Sequence, residues 1–160
     1  MKILVYTFFA YQKLSSKLLH NLESESFDKC FISSNRSLEL LLEKISKYDI
    51  VLGIADHNKK ALKSRLDLTY INKYGKRKIL NNSADFYKSN LDINQIKLND
   101  FYVFKSYSNG RCNRSAYLIM NKITNSNLQT HFCFSHLSRK NISEDLKNLI
   151  SALTNYTKAT

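Results

Sequence analysis

The sequence contains no proline, and its 160 residues include only three glycines and three cysteines. Glycine is the residue that readily adopts positive φ, so few turns can depend on it, and asparagine and serine side chains must supply most turns and helix caps. An odd number of cysteines without repeated spacing argues against a disulfide framework. A reducing compartment fits this cysteine usage, and we therefore expect a cytoplasmic protein.

Long apolar runs are also missing from the chain. No stretch approaches the ~20 apolar residues of a membrane-spanning helix, so we expect no membrane partner. The apolar run from Ile3 to Tyr11 is short, is interrupted by Thr7 and is not followed by a clear small-x-small cleavage site. A first buried strand is therefore favoured over a signal peptide.

Charge is unbalanced, since 25 lysines and arginines face 13 acidic residues and give a formal net charge of +12. Such an excess can mark a nucleic-acid surface. The basic residues are spread along the whole chain, however, with their densest run at 73–78, and no nucleic-acid-binding motif accompanies them. Compositional drift is the simpler explanation, and a basic nucleic-acid-binding domain is kept as an alternative.

Hydrophobic periodicity in the first third predicts an alternation of strands and helices. Such an alternation favours a parallel sheet with helices packed on it. The sequence therefore predicts one α/β domain over residues 1–160, with three layers and a mostly parallel sheet covered by helices on both faces. The predicted elements of this part are strands at 2–8, 27–32 and 49–54, and helices at 12–22 and from Ser34 or Asn35 to Ile45.

The remaining two thirds give a less regular pattern. Predicted there are a turn or loose helix at 58–66, an edge strand at 68–72, a short helix at 83–89, a strand at 101–106, a helix at 114–123, a strand at 131–134 and a closing helix at 143–156.

Cys112 is the candidate nucleophile. It follows the strand at 101–106 and comes just before the predicted helix at 114–123, at a helix N-terminus. Unpaired amides and the helix dipole favour an anion there, and Arg111 adds a positive charge, so we expect a lowered thiol pKa and an oxyanion-binding position. The alternative is an inert cysteine in a turn.

His136 and Asp67 are the candidate partners of this thiol. His136 follows the last predicted strand, and functional groups in open α/β sheets lie beyond the carboxyl ends of strands. If this strand neighbours the one before Cys112, the histidine can act as general base and then general acid. Asp67 can orient the histidine; the alternative is a solvated acid near Arg65.

The stretch that contains His131, Cys133 and His136 also suggests a metal site. His131 and Cys133 share one face of the predicted strand, whereas His136 falls on the other. The paired ligand spacing of structural zinc sites is absent. We therefore predict no metal at this stretch.

These pieces occur in an order that resembles pyroglutamyl peptidase I, the cysteine exopeptidase that removes N-terminal pyroglutamate. The segment 110–113 (Gly-Arg-Cys-Asn) is similar to the family's nucleophile motif, which ends in Cys-Asn, and 134–138 (Phe-Ser-His-Leu-Ser) resembles its Phe-x-His-x-Pro motif. Four further segments resemble parts of the family. Residues 2–11 resemble its first strand and aromatic turn, and 48–52 resemble its Pro-Asp-Ile-Val strand. Residues 67–72 resemble its Glu-Arg-Val-Ala-Ile-Asn segment, and 84–93 resemble one of its helices.

The resemblance implies a three-layer α/β hydrolase that cleaves peptides with a blocked N-terminus and needs no cofactor. It assigns the nucleophile to Cys112, the base to His136 and the place of the catalytic glutamate to Asp67. Phe8 and Tyr11 would line the pocket for the flat lactam ring. The sequence leaves the oligomeric state open, and a homo-oligomer is one of the alternatives.

Several departures from the family pattern leave other interpretations open. The first turn lacks the family's proline and glycines, and Asp67 is shorter than glutamate by one C–C bond, about 1.5 Å. An alignment slipped by three would put Cys133 at the base position, although the register with His136 also keeps Phe134 and Ser138 in place. A catalytically impaired homologue with a binding role is therefore a second hypothesis.

Overall fold

The computed structural model of the protein describes residues 1–10, 13–23, 26–96, 98, 100–104 and 110–156. The strands are β1 (Ile3–Phe8), β2 (Phe27–Ile32), β3 (Ile50–Asp56), β4 (Ser64–Asp67), β5 (Thr69–Ile71), β6 (Phe86–Lys88), β7 (Phe101–Phe104) and β8 (His131–Leu137). The α-helices are α1 (Leu14–Asn21), α2 (Asn35–Lys44), α3 (Arg111–Asn125) and α4 (Ile142–Tyr156).

A six-stranded sheet in the order β2-β1-β3-β8-β4-β7 forms the centre of the molecule. The first four strands in this order are parallel, β4 runs antiparallel to β8, and β7 is parallel to β4. β5 and β6 pair separately as a two-stranded antiparallel sheet. The predicted fold class, a mostly parallel α/β domain, is confirmed.

Alternation along the central strands divides the core into two layers, one on each face of the sheet. In β1, Val5 packs on the side of α1 and α4, whereas Tyr6 packs on the side of α2 and α3. In β8, Cys133 belongs to the first layer and Phe134 to the second. Helices therefore cover both faces, as the sequence predicts.

Side chains supply the caps of the first two helices, as expected in a chain with so little glycine. Ser34 Oγ accepts a hydrogen bond from the Ser37 amide at 3.2 Å, and Ser37 Oγ accepts one from the Ser34 amide at 2.9 Å. At α1 the carboxylate of Asp56 accepts the amides of Leu14 and Ser15 at 3.1 and 2.8 Å. Both arrangements satisfy amides that a helix start leaves unpaired.

The middle of the chain departs from the sequence-based prediction. The predicted turn or loose helix at 58–66 is wrong at its end, because β4 begins at Ser64 and enters the main sheet. The helix predicted at 83–89 is wrong, as is the family-like helix at 84–93. That region holds β6, paired with β5, and a short 3₁₀ turn at Ile93–Gln95. Both errors concern short strands whose pairing partners lie elsewhere in the chain.

Two boundaries differ in ways that affect the candidate site. Helix α3 begins at Arg111, three residues earlier than predicted, and so includes Cys112. Strand β8 continues to Leu137, so that His136 lies within the strand and not after it. Across the part of the chain that the structure describes, no helix is both long enough and apolar enough to span a membrane.

Candidate active site

His136 and Asp67 meet on one face of the central sheet. In the antiparallel pairing of β8 with β4, His136 lies opposite Arg65 and Phe134 lies opposite Asp67. His136 Nδ1 lies 3.0 Å from Asp67 Oδ2, and both side chains are largely withdrawn from solvent, with 13% and 11% exposed. The structure thus brings two of the predicted site residues into contact.

Arg65 joins this pair. Its Nε lies 2.9 Å from Asp67 Oδ1 and 3.4 Å from His136 Nδ1. The separation from the imidazole is long for a hydrogen bond, whereas the 3.0 Å between Nδ1 and Asp67 Oδ2 is that of an ordinary one. We therefore assign the ring N–H to Nδ1, which donates it to Asp67, and Nε2 is the acceptor nitrogen of this tautomer.

The guanidinium of Arg65 is held by more than the carboxylate, because its Cζ lies 4.3 Å from the centre of the Phe104 ring. Asp67 Oδ1 is buried and accepts no hydrogen bond among the described residues. This oxygen is therefore stabilised mainly by the charge of Arg65.

Cys112 is the second residue of α3, in the first turn. Its neighbour Asn113 anchors that turn: Oδ1 accepts the Ile71 amide at 2.9 Å, and Nδ2 donates to the carbonyls of Ile71 and Lys73 at 3.0 and 2.8 Å. Ser115 Oγ donates to the Cys112 carbonyl at 3.0 Å. The helix start is thereby tied to the segment that directly follows β4.

The expected lowering of the Cys112 pKa is wrong. Burial raises the pKa of this thiol to about 12, and the charge of Asp67 raises it further, while Arg65 acts in the lowering direction. Removing a thiolate from water thus outweighs the favourable position at a helix N-terminus. At neutral pH the thiol is protonated.

Cys112 and His136 share one side of the sheet. Cys112 packs against the core layer that contains Tyr6 and Phe134, and His136 points to the same face as Phe134, two residues earlier in the strand. The charges of Asp67 and Arg65 act on the thiol. The arrangement does not come from neighbouring strands, however, since β4 separates β7 from β8.

The two predicted pocket residues have different outcomes. Phe8, at the end of β1, lines a cavity of about 420 Å³ together with Arg111 and Ser115 of α3. It therefore stands beside the turn that carries Cys112. Tyr11 lies outside the described residues.

The sequence does not single out Arg65, which enters the prediction only as a neighbour of a solvated Asp67. Residues two apart on a strand share a face, but Arg65 lies in the segment predicted as a turn or loose helix. His57 was missed as well. Its ring centre lies 6.1 Å from that of His136, and its Nε2 lies 2.8 Å from the Tyr102 hydroxyl. Burial lowers the pKa of His57, and the charges of Arg65 and His136 lower it further.

The structure places the residues on which the other interpretations of the β8 segment depend. Cys133 is fully buried in the core layer opposite to His136, and burial raises its pKa to about 12. His131 lies at the other end of the strand, where its ring packs on Tyr156. Within the described ranges, no group of three or more His, Cys, Asp or Glu side chains could hold a metal ion.

Comparison with known proteins adds a structural relationship. No protein-family model matches the sequence, and no curated protein sequence matches it. Among solved structures, pyroglutamyl peptidase I from Bacillus amyloliquefaciens is similar with a TM-score of 0.79 at 18% identity, covering 98% of this chain and 97% of that one.

Two further solved structures belong to the same group. A mutant pyrrolidone carboxyl peptidase from the hyperthermophile Pyrococcus furiosus gives a TM-score of 0.72 at 14% identity, covering 99% of this chain and 97% of that one. Pyrrolidone carboxyl peptidase from the keratin-degrading bacterium Fervidobacterium islandicum gives 0.69 at 18% identity, with 86% and 81% covered. At these identities the likeness concerns the fold, and it confirms the predicted resemblance at that level.

Proposed function

We propose that the chain is a cysteine exopeptidase that removes N-terminal pyroglutamate, or a similar small N-terminal group, from peptides. The proposal is carried by one observation: the 3.0 Å contact of His136 Nδ1 with Asp67 lies on the sheet face that also holds the first turn of α3, with Cys112. The fold likeness to pyroglutamyl peptidases supports it.

The reaction is acyl transfer through a thioester. Cys112 Sγ attacks the carbonyl carbon that joins the pyroglutamyl group to the next residue, while His136 Nε2 takes the thiol proton. Asp67 stabilises the imidazolium that forms, and amides of the first turn of α3 receive the developing oxyanion. His136 then protonates the leaving amine, and water, activated by His136, hydrolyses the thioester. The scheme needs no cofactor.

The raised pKa of Cys112 constrains the order of these steps. A thiol with a pKa of about 12 is not a stored thiolate at neutral pH. In the proposed scheme deprotonation therefore accompanies the attack on the carbonyl, with His136 as general base.

The test is hydrolysis of a pyroglutamyl amide of aminomethylcoumarin by the full chain. We expect turnover by the wild type and a loss of about 10³-fold or more in Cys112→Ser and His136→Ala. Cys30→Ser is the matched control, because Cys30 lies on β2 away from the pair and its loss should leave turnover unchanged. Absence of wild-type turnover, or full turnover by Cys112→Ser, would reject the assignment.

The raised thiol pKa also favours a second candidate, an impaired homologue that keeps the fold and binds without cleaving. Alkylation of Cys112 by iodoacetamide, followed by mass spectrometry from pH 6 to pH 11, measures how much of the thiol is ionised in the absence of substrate. Because only the thiolate reacts, we expect the rate to rise with pH without reaching a plateau in this range. A plateau below pH 8 would contradict the raised pKa of Cys112. If the alkylation rate rises as expected and the wild type releases no coumarin, the two results together favour the impaired homologue.

A further inference from the structure

The cavity beside the first turn of α3, which we call the arginine cavity, has an apolar wall and a basic rim. It opens where β1 and β2 end, and its volume is about 420 Å³. Phe8, Ile32 and Leu38 form the apolar part, and Arg111 and Arg114 are on its basic side. These two arginines flank Cys112 along the helix.

The positive charge of this cavity has no counter-charge among the described residues that line it. None of the described residues that line it is acidic, and neither arginine forms an ion pair within the described part of the chain. Arg114 is held in place: its NH1 donates to Asn35 Oδ1 at 2.8 Å, and its Cζ lies 5.7 Å from the centre of the Tyr74 ring. Its remaining donors have no hydrogen-bond partner among the described residues and can serve a ligand.

We propose that the arginine cavity binds a carboxylate carried by the substrate residue that follows the pyroglutamyl group. The inference rests on the proposed function and narrows its substrate class to peptides with a carboxylate close to the scissile bond. The carboxylate belongs either to an acidic side chain at that position or to the C-terminus of a dipeptide.

The dimensions and chemistry of the cavity support this ligand. Pockets for small ligands usually measure about 300–1,000 Å³, so the arginine cavity has room for a lactam ring and part of the next residue. The apolar wall suits the ring and methylene groups, while a guanidinium pairs with a carboxylate through two parallel hydrogen bonds.

A polyanion is the competing ligand, since a second cavity is lined by lysines and Arg77 of the basic run at 73–78. That cavity lies by β5 and β6 and has an acidic residue, Asp85, in its lining. A polyanion is bound by a positively charged groove that follows its backbone. An apolar wall next to two arginines fits one small carboxylate better than such a row of phosphates.

The experiment measures affinity separately from cleavage, in full-length Cys112→Ser. Three peptides are titrated by calorimetry: pyroglutamyl-alanyl-alanine amide, which is neutral, pyroglutamyl-glutamyl-alanine amide, and pyroglutamyl-alanine with a free C-terminus. We expect at least one carboxylate peptide to bind about tenfold more tightly than the neutral one. Which of the two does so distinguishes the side-chain carboxylate from the terminal one.

Charge variants then locate the contact. Adding Arg111→Gln or Arg114→Gln should lower the affinity for the carboxylate peptide about tenfold and the affinity for the neutral peptide less than about twofold. Lys122→Gln is the matched control, because it removes the same charge from an exposed position in the last turn of the same helix, and both affinities should stay unchanged. Thermal unfolding of each variant checks that the fold is kept.

Three results would overturn the inference: equal affinity for neutral and carboxylate peptides, equal weakening of both by the arginine variants, or displacement of the bound peptide by a single-stranded oligonucleotide of higher affinity. Failure of the proposed function is recognised separately. If the wild type cleaves none of the peptides while arginine-dependent carboxylate binding persists, the peptidase assignment fails and the carboxylate site stands. If it cleaves neutral and acidic peptides alike, with equal affinity, only the inference fails.

Discussion

Asp67 contacts a histidine and an arginine at once, with a side chain shorter than the glutamate that the family resemblance leads one to expect. The contact with His136 is nevertheless 3.0 Å long, and that with Arg65 is 2.9 Å. The reason lies in the backbone, since β4 pairs directly with β8 and places Asp67 opposite Phe134. Direct strand pairing thus brings the shorter side chain within reach of His136.

We therefore predict that Asp67→Glu weakens the site. Asp67 is only 8% exposed, so an added methylene overpacks its surroundings and should lower the free energy of unfolding by about 1–3 kcal/mol. Displacement of the carboxylate by about 1 Å should lower coumarin release by up to about 10²-fold. Urea unfolding and the coumarin assay measure the two effects.

Asp85→Glu is the matched control for this substitution. The Asp85 side chain is 84% exposed, so the same added methylene should change neither the free energy of unfolding nor coumarin release. An Asp67→Glu variant that is more active than the wild type would show that the shorter side chain is a defect of the site.

At the scale of elements, Gly53 in β3 leaves space for an aromatic pair that packs beneath helix α3. Tyr6 of β1 and Phe134 of β8 both pair with Gly53 in the parallel register. Their rings lie 6.0 Å apart over the space that a side chain at this position would fill. The Tyr6 hydroxyl then lies 3.0 Å from Ser115 Oγ, so the aromatic pair supports the helix that carries Cys112.

Gly53→Ala is predicted to disturb this packing. A Cβ at this position would lie 2.7 Å from Tyr6 Cζ and in still closer contact with the Phe134 ring. We expect the free energy of unfolding, measured in urea, to fall by about 2 kcal/mol or more. Coumarin release should fall as well, because α3 loses part of its support. Gly110→Ala meets nothing within 4 Å and should cost at most about 1 kcal/mol; equal losses at the two positions would argue against the packing explanation.

For the whole molecule, the formal net charge of +12 is the dominant property. A charge so far from zero destabilises a compact state through self-repulsion. Salt shortens the range of this repulsion, with a Debye length of about 10 Å at 0.1 M. The basic surface therefore acts on stability as well as on the choice of ligand.

We predict that sodium chloride stabilises the protein. The free energy of unfolding, measured in urea because guanidinium is itself a salt, should rise between 20 and 300 mM sodium chloride. Sucrose at matched osmolality is the control, since it stabilises by exclusion from the surface without screening charge. A stability that falls with salt, or an equal effect of sucrose, would contradict the role of self-repulsion.

The sequence by itself determined the alternation of strands and helices in the first third and the position of Cys112 near the start of a helix. These features were predictable because periods of 2 and 3.6 residues are local properties of the chain. The order of the family-like segments also indicated the fold, and with it His136 and Asp67 as candidates.

Only the tertiary structure decided that β4 enters the sheet between β8 and β7. That insertion places Arg65 between His136 and Asp67, and it depends on pairing between segments some 70 residues apart, as for Leu66 with Ser135. The protonation state of Cys112 was likewise out of reach. A helix N-terminus can be read from neighbouring residues, whereas the burial that raises the thiol pKa comes from side chains that distant parts of the chain bring together.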